Sequence, residues 1–103
     1  MSQAETVSKV KINEKLAEPP KFKVIFINDS QTSMEFVIGS LVEYFEYSIT
    51  SAEQITVSIH EAGSAVVAVL PYEIAEQKGI EITISARAEG YPLQIKLEPE
   101  STT

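Results

Sequence analysis

The feature that most constrains the fold is a change of hydrophobic period inside the stretch 22-FKVIFINDSQTSMEFVIGSL-41. Lys21 to Ile27 alternates, with Phe22, Val24 and Phe26 set against Lys21, Lys23 and Ile25. Its β-branched and aromatic content favours a strand. The run stops on Asn28-Asp29-Ser30. From Met34 onward, apolar residues recur at 34, 37, 38, 41, 42 and 45, which is helical spacing with one buried stripe. An amide, a carboxylate and a hydroxyl thus sit together where a strand gives way to a helix. Such side chains bond to nearby backbone in turns. The same groups are also acceptors that a binding site can use, and these residues alone leave both readings open.

The rest of the chain continues the mixed pattern. Thr50 and Glu53 stand at capping-box spacing, ahead of a helical stripe at Ala52, Ile55, Ile59 and Ala62. Gly63 falls where a helix would end in left-handed geometry. Ser64 to Leu70 is short, apolar and β-rich, and reads as a buried strand. Pro71 suits the first turn of a third helix. Ile74, Ala75 and Lys78 fit that helix, but Ile80, Ile82 and Ile84 alternate as a strand would, and residues 80–85 remain divided between the two. Gly90-Tyr91-Pro92 is a turn, and Leu93, Ile95 and Leu97 form a last alternating strand. Residues 1–20 mix Lys and Glu, end in Pro19-Pro20, and carry too little apolar surface to offset ordering entropy, so they read as a mobile tail. Residues 21–98 form the domain and 99–103 a polar end. The order strand, helix, helix, strand, helix, strand implies an α+β layer packing with a small, mostly antiparallel sheet and helices on one face.

Composition narrows the function. At 103 residues the chain suits one domain. A formal charge of −7, with one arginine, Arg87, argues against nucleic acid, anionic membrane surfaces and bidentate phosphate clamping. With no cysteine there is no disulfide, thiol nucleophile or Cys–zinc site. A single histidine among scattered carboxylates lacks metal-ligand spacing, and no cofactor is expected. Ser30, Asp29 and His60 contain triad chemistry on paper, but no Gly-x-Ser-x-Gly elbow surrounds Ser30, so an enzyme is not expected. A cytoplasmic location is expected, or a plastid stroma after processing.

The segments PPKFKVIFIND, SMEFVIGSLVEYF, VSIHEAGSAVVAVLPYEIAEQK and YPLQIKLEPE, in order over about residues 19–100, resemble the ClpS family of adaptors for the Clp AAA+ protease. The resemblance implies a small three-stranded antiparallel sheet packed on three helices, with residues 72–89 helical. It implies a ligand that is the free N-terminus of another protein, beginning with Phe, Tyr, Trp or Leu. Such a ligand offers an α-ammonium group and a bulky apolar side chain. By the resemblance, Asn28, Asp29 and His60 take the ammonium, His60 only while neutral. Met34, Val37, Ile59 and Leu93 line the side-chain pocket, with Thr32 near its entrance. Glu73 and Lys78 dock on the N-terminal domain of a Clp unfoldase of ClpA or ClpC type, and the tail reaches toward its pore during hand-off. A monomer is expected.

Departures from the family pattern bear on specificity. The usual Asn-Asp-Asp is Asn28-Asp29-Ser30, and the usual Thr-Pro-Met is Thr32-Ser33-Met34. Thr56 stands where many relatives carry a methionine that guards the pocket, which implies a preference looser toward Ile and Val. Two other readings stay beside this one. The implied fold is also similar to the C-terminal domain of the ribosomal stalk protein, an interaction module without an amino-terminus pocket, and fold alone does not fix function. A degenerate adaptor would dock on the unfoldase and redirect its substrate choice.

Overall fold

The computed structural model describes residues 19–100. Most of the expected tail (1–18) and the last three residues lie outside the described range. The alternating run folds as strand β1, Lys21–Ile27, the middle strand of a sheet whose order is β2-β1-β3. β2, Ser64–Pro71, and β3, Gln94–Pro99, flank it, both antiparallel. Its inward side chains Val24 and Phe26 are fully buried.

Helix α1, Met34–Phe45, is capped by Ser33, whose Oγ accepts from the Phe36 N–H at 3.0 Å. It buries Val37, Ser40 and Leu41. Helix α2, Ile49–Ala62, is capped by Ser48, whose hydroxyl accepts from the Ser51 N–H at 3.1 Å. The Thr50–Glu53 box therefore does not start the helix. Ser48 stands two residues earlier with its own oxygen on the first turn, so Thr50 is already helical. Gly63 ends α2 at φ 92 in the left-handed region, as its position in the sequence predicts.

Helix α3, Tyr72–Ala88, runs straight through the ambiguous stretch. Ile82 is buried, while Ile80 and Ile84 are 53% and 64% exposed. The alternation of isoleucines thus marks one inward residue between two that face water, and not a strand. Pro71 closes β2 and precedes α3 by one residue instead of opening its first turn.

β2 departs from the expected buried strand. It is an edge strand, with Val66 49% and Val69 38% exposed. Its register with β1 shifts between Val24 and Ile25, so that Val24 faces Ala68 and Ile25 faces Val66. Val67 is the extra residue of a bulge, and its carbonyl accepts a hydrogen bond from the Tyr47 hydroxyl. The three helices and the inner face of the sheet enclose a core that includes Leu41, Ala52, Ile59, Val67, Ala75 and Leu93. Gly79 on α3 faces β3, where a Cβ would meet Ile95 Cγ2 at 3.8 Å.

Candidate functional site

Past Ile27 the chain still pairs once more. The Asn28 N–H donates to the Gly63 carbonyl at 2.9 Å. Because Gly63 is the left-handed cap of α2, this bond fastens the end of β1 to the end of α2. Asp29 then organises the turn. Its Oδ1 accepts from the Gln31 and Thr32 N–H groups, both at 2.7 Å, and its Oδ2 accepts from the Thr32 hydroxyl at 2.8 Å. The turn chemistry anticipated for Asn28-Asp29-Ser30 is thus carried out by Asp29, and Ser30 is exposed.

Partial burial pulls the Asp29 carboxyl upward. The Thr32 and Gln31 N–H groups, the Thr32 hydroxyl and the positive charge of Arg87 outweigh that pull, and hold it below its ordinary value. Asp29 is therefore an anion at neutral pH. An ionised carboxylate has about four lone-pair sites. Three are occupied within the turn, which leaves room at Oδ2 for a donor from outside.

Asn28, Asp29 and Thr32 form the polar side of a cavity of about 20 Å³. Phe26, Ile27, Val37, Ile59 and Leu93 form its apolar side. Beside it, a cleft of about 220 Å³ shares Ile27, Asn28 and Asp29 and extends to Pro92 and Gln94. The smaller cavity is little more than the roughly 10–15 Å³ that one water occupies. A ring or a branched side chain enters it only if a wall gives way.

The structure thus brings Asn28, Asp29, Thr32, Val37, Ile59 and Leu93 together. Met34, Thr56 and His60 are not among the lining residues. Met34 is 45% exposed on the first turn of α1. Thr56 is buried, and its hydroxyl donates to the Ala52 carbonyl at 2.8 Å, which ties it back to its own helix. His60 is exposed on the last turn of α2, one residue beyond Ile59. Phe26, Ile27, Pro92 and Gln94 are lining residues that the sequence did not single out. The inward alternation of β1 marks Phe26 as core, and nothing local marks the other three.

Glu73 is exposed on the first turn of α3. Lys78 lies a turn further, with Nζ 5.9 Å from the centre of the Phe45 ring. It borders a groove of about 310 Å³ between the end of α1 and β2. Asn28, Asp29 and Thr32 do not line that groove. Among the described residues, no group of three or more His, Asp or Glu could hold a metal ion. No described helix is long and apolar enough to cross a membrane.

The family model described as ATP-dependent Clp protease adaptor protein ClpS matches residues 17–96. The chain belongs to the ClpS family. Among its ClpS relatives, the ATP-dependent Clp protease adapter protein of Oleidesulfovibrio alaskensis is 42% identical over 89 residues, covering 86% of each chain. That of Escherichia coli is 36% identical over 94 residues, covering 91% of this chain and 89% of its own. The solved structure of Agrobacterium tumefaciens ClpS2 bound to L-phenylalaninamide matches with a TM-score of 0.77 at 37% identity, over 81% of this chain and 100% of that one. The ClpS fold of three helices and a three-stranded antiparallel sheet is therefore shared with a protein that holds a benzyl side chain next to a free amine.

Proposed function

We propose that this ClpS chain binds proteins that begin with a free, bulky hydrophobic residue and delivers them to a Clp AAA+ unfoldase for proteolysis. The observation that carries the reading is the Asp29 carboxylate, ionised, fixed by its own turn and left with acceptor capacity at the mouth of an apolar cavity. An α-ammonium group, with a reference pKa near 8, is mostly protonated at pH 7 and supplies the missing donor. Asn28 offers a second acceptor, and His60, from the adjoining end of α2, a third while neutral. The first side chain goes to the apolar side, where its burial contributes about 1.5–3 kcal/mol. The phenylalaninamide held by the Agrobacterium relative supports this, since it carries the same two handles.

The docking role belongs to Glu73 and Lys78. In this reading they meet the N-terminal domain of a ClpA- or ClpC-type unfoldase, leaving the amine site free. The chain acts as a monomer and performs no catalysis of its own. Since the partner is ATP-dependent, the reading places the protein in the cytoplasm, or in a plastid stroma after processing. The small cavity favours one second reading, an adaptor that docks on the unfoldase and redirects its substrate choice.

Fluorescence anisotropy with a Phe-initiated peptide and its N-acetylated twin separates the readings. Binding of the free amine and loss of binding on acetylation is the expected result. Equal binding of the twins overturns the amine-site reading, and binding of neither, with retained affinity for the unfoldase domain, favours the second.

A further inference from the structure

Arg87 is the chain's one arginine. In the structure it lies at the last turn of α3, and one nitrogen, Nη1, donates to the Tyr91 carbonyl and to the Leu93 carbonyl, both at 2.9 Å. These carbonyls flank Pro92. The segment they bracket supplies Leu93 to the small cavity and Pro92 to the cleft beside it.

The walls of the cavity are held in different ways. Phe26 and Ile27 belong to the central strand, bonded on both sides, and cannot shift without breaking two ladders. Val37 and Ile59 ride on the helices α1 and α2. Leu93 precedes β3, which begins only at Gln94, so neither ladder nor helix fixes its backbone. What holds it is the turn itself, with Tyr91 N–H on the Ala86 carbonyl at 2.9 Å, the Tyr91 ring edge-on to Phe36 at 5.5 Å, and Arg87. The same guanidinium is also the cation whose charge reaches the Asp29 carboxylate.

We propose that Arg87 is a positioning residue that sets which first side chains the cavity accepts, by fixing the Leu93 wall through the Tyr91 and Leu93 carbonyls. The inference rests on the amine-site reading above. The planar guanidinium presents donors in a rigid fork, whereas a lysine ammonium is a mobile point charge. Arg87→Lys therefore keeps the cation and loses the fixed geometry, and Arg87→Gln loses the cation as well.

The test compares peptides that differ only in beginning with Phe, Leu or Val, each with an acetylated twin, on the wild type and on both variants. The Phe-to-Val affinity ratio should shift by about threefold or more in both variants, within the range that one modest hydrogen bond carries. Acetylation should still abolish binding to Arg87→Lys. Hydrogen exchange over residues 89–94 should quicken. A merely structural role would scale all affinities together, so a ratio within about twofold of wild type, with unchanged exchange, overturns the proposal. A measurement that needs no variant is ¹⁵N NMR of the wild-type guanidinium. Separate, slowly exchanging Nη signals support the clamp, and a single averaged signal overturns it. Should the wild type ignore acetylation, the amine-site reading fails; should it discriminate while the variants keep its profile, only the role of Arg87 fails.

Discussion

Replacing Asp29 by Asn tests the charge without dismantling the turn. Asn is nearly isosteric, and its carbonyl oxygen can take the Oδ1 place that accepts from the Gln31 and Thr32 N–H groups at 2.7 Å. Its amide nitrogen takes the Oδ2 place, and the Thr32 hydroxyl, a free rotor, turns from donating to accepting there. The loop thus keeps its bonds, but the outward acceptor and the negative charge are lost. A hydrogen bond to a charged group carries about 1.5–3 kcal/mol, and each 1.4 kcal/mol is about tenfold. Affinity for a Phe-initiated peptide should fall about 10- to 150-fold, while that of the acetylated twin stays at its low level. Anisotropy titrations at pH 7 measure both, and circular dichroism confirms that the variant is folded. A folded Asp29→Asn protein that binds the Phe peptide within about twofold of wild type refutes the assignment of Asp29 as counter-ion.

Three further expectations concern stability. The carboxyl of Asp29 is held below its ordinary 3.8 in the folded state, so its contribution is present above that value and is lost as pH falls through the lower folded one. The stability difference between wild type and Asp29→Asn, followed by urea unfolding, should hold steady down to about pH 4 and narrow below it; a gap that widens in acid contradicts the sign of the shift. Gly79→Ala adds a methyl group at ordinary contact distance, 3.8 Å, from Ile95, and should stabilise α3 by about 0.5–1 kcal/mol, raising the melting temperature by a few degrees. A lowered melting temperature would show that β3 cannot accommodate it. Glu46 caps α1 at φ 63 and ψ 27, left-handed backbone on a residue with a Cβ; Glu46→Gly should raise stability by about 1 kcal/mol, and a fall would mean that the Glu side chain contributes more than the strain removes.

The parts of this structure legible in the sequence are those written in periodicity. The switch from Lys21–Ile27 to Met34–Phe45 is visible because the apolar spacing changes, and the end of α2 because Gly63 suits left-handed backbone. Legibility fails where the deciding contact is distant or is a single atom. Thr50 and Glu53 have capping-box spacing, yet the Ser48 oxygen is already on the turn. Ser64 to Leu70 reads as buried because its residues are apolar, but burial depends on which side β1 lies, and the bulge at Val67 has no compositional mark. Ile80 and Ile84 look like strand residues because a helix leaves them in water. At the site, Asn28 and Asp29 were marked by the break in pattern. Pro92, Gln94 and the clamp from Arg87 come from a part of the chain about sixty residues away and carry no local signal. The place of Thr56 in the family pattern carries no sign that its hydroxyl donates to the Ala52 carbonyl.

The Val67 bulge has a consequence for the company this protein keeps. A regular outer strand offers a ladder of vacant donors and acceptors to any extended polypeptide. In β2 the extra residue breaks the regular rhythm of the strand, and the carbonyl of that residue, Val67, is taken by the Tyr47 hydroxyl. If it acts beside an unfoldase as proposed, the molecule is continually exposed to loose strands. In the proposed role, a spoiled margin would let it hold a client by its first residue without being zipped into the rest of it.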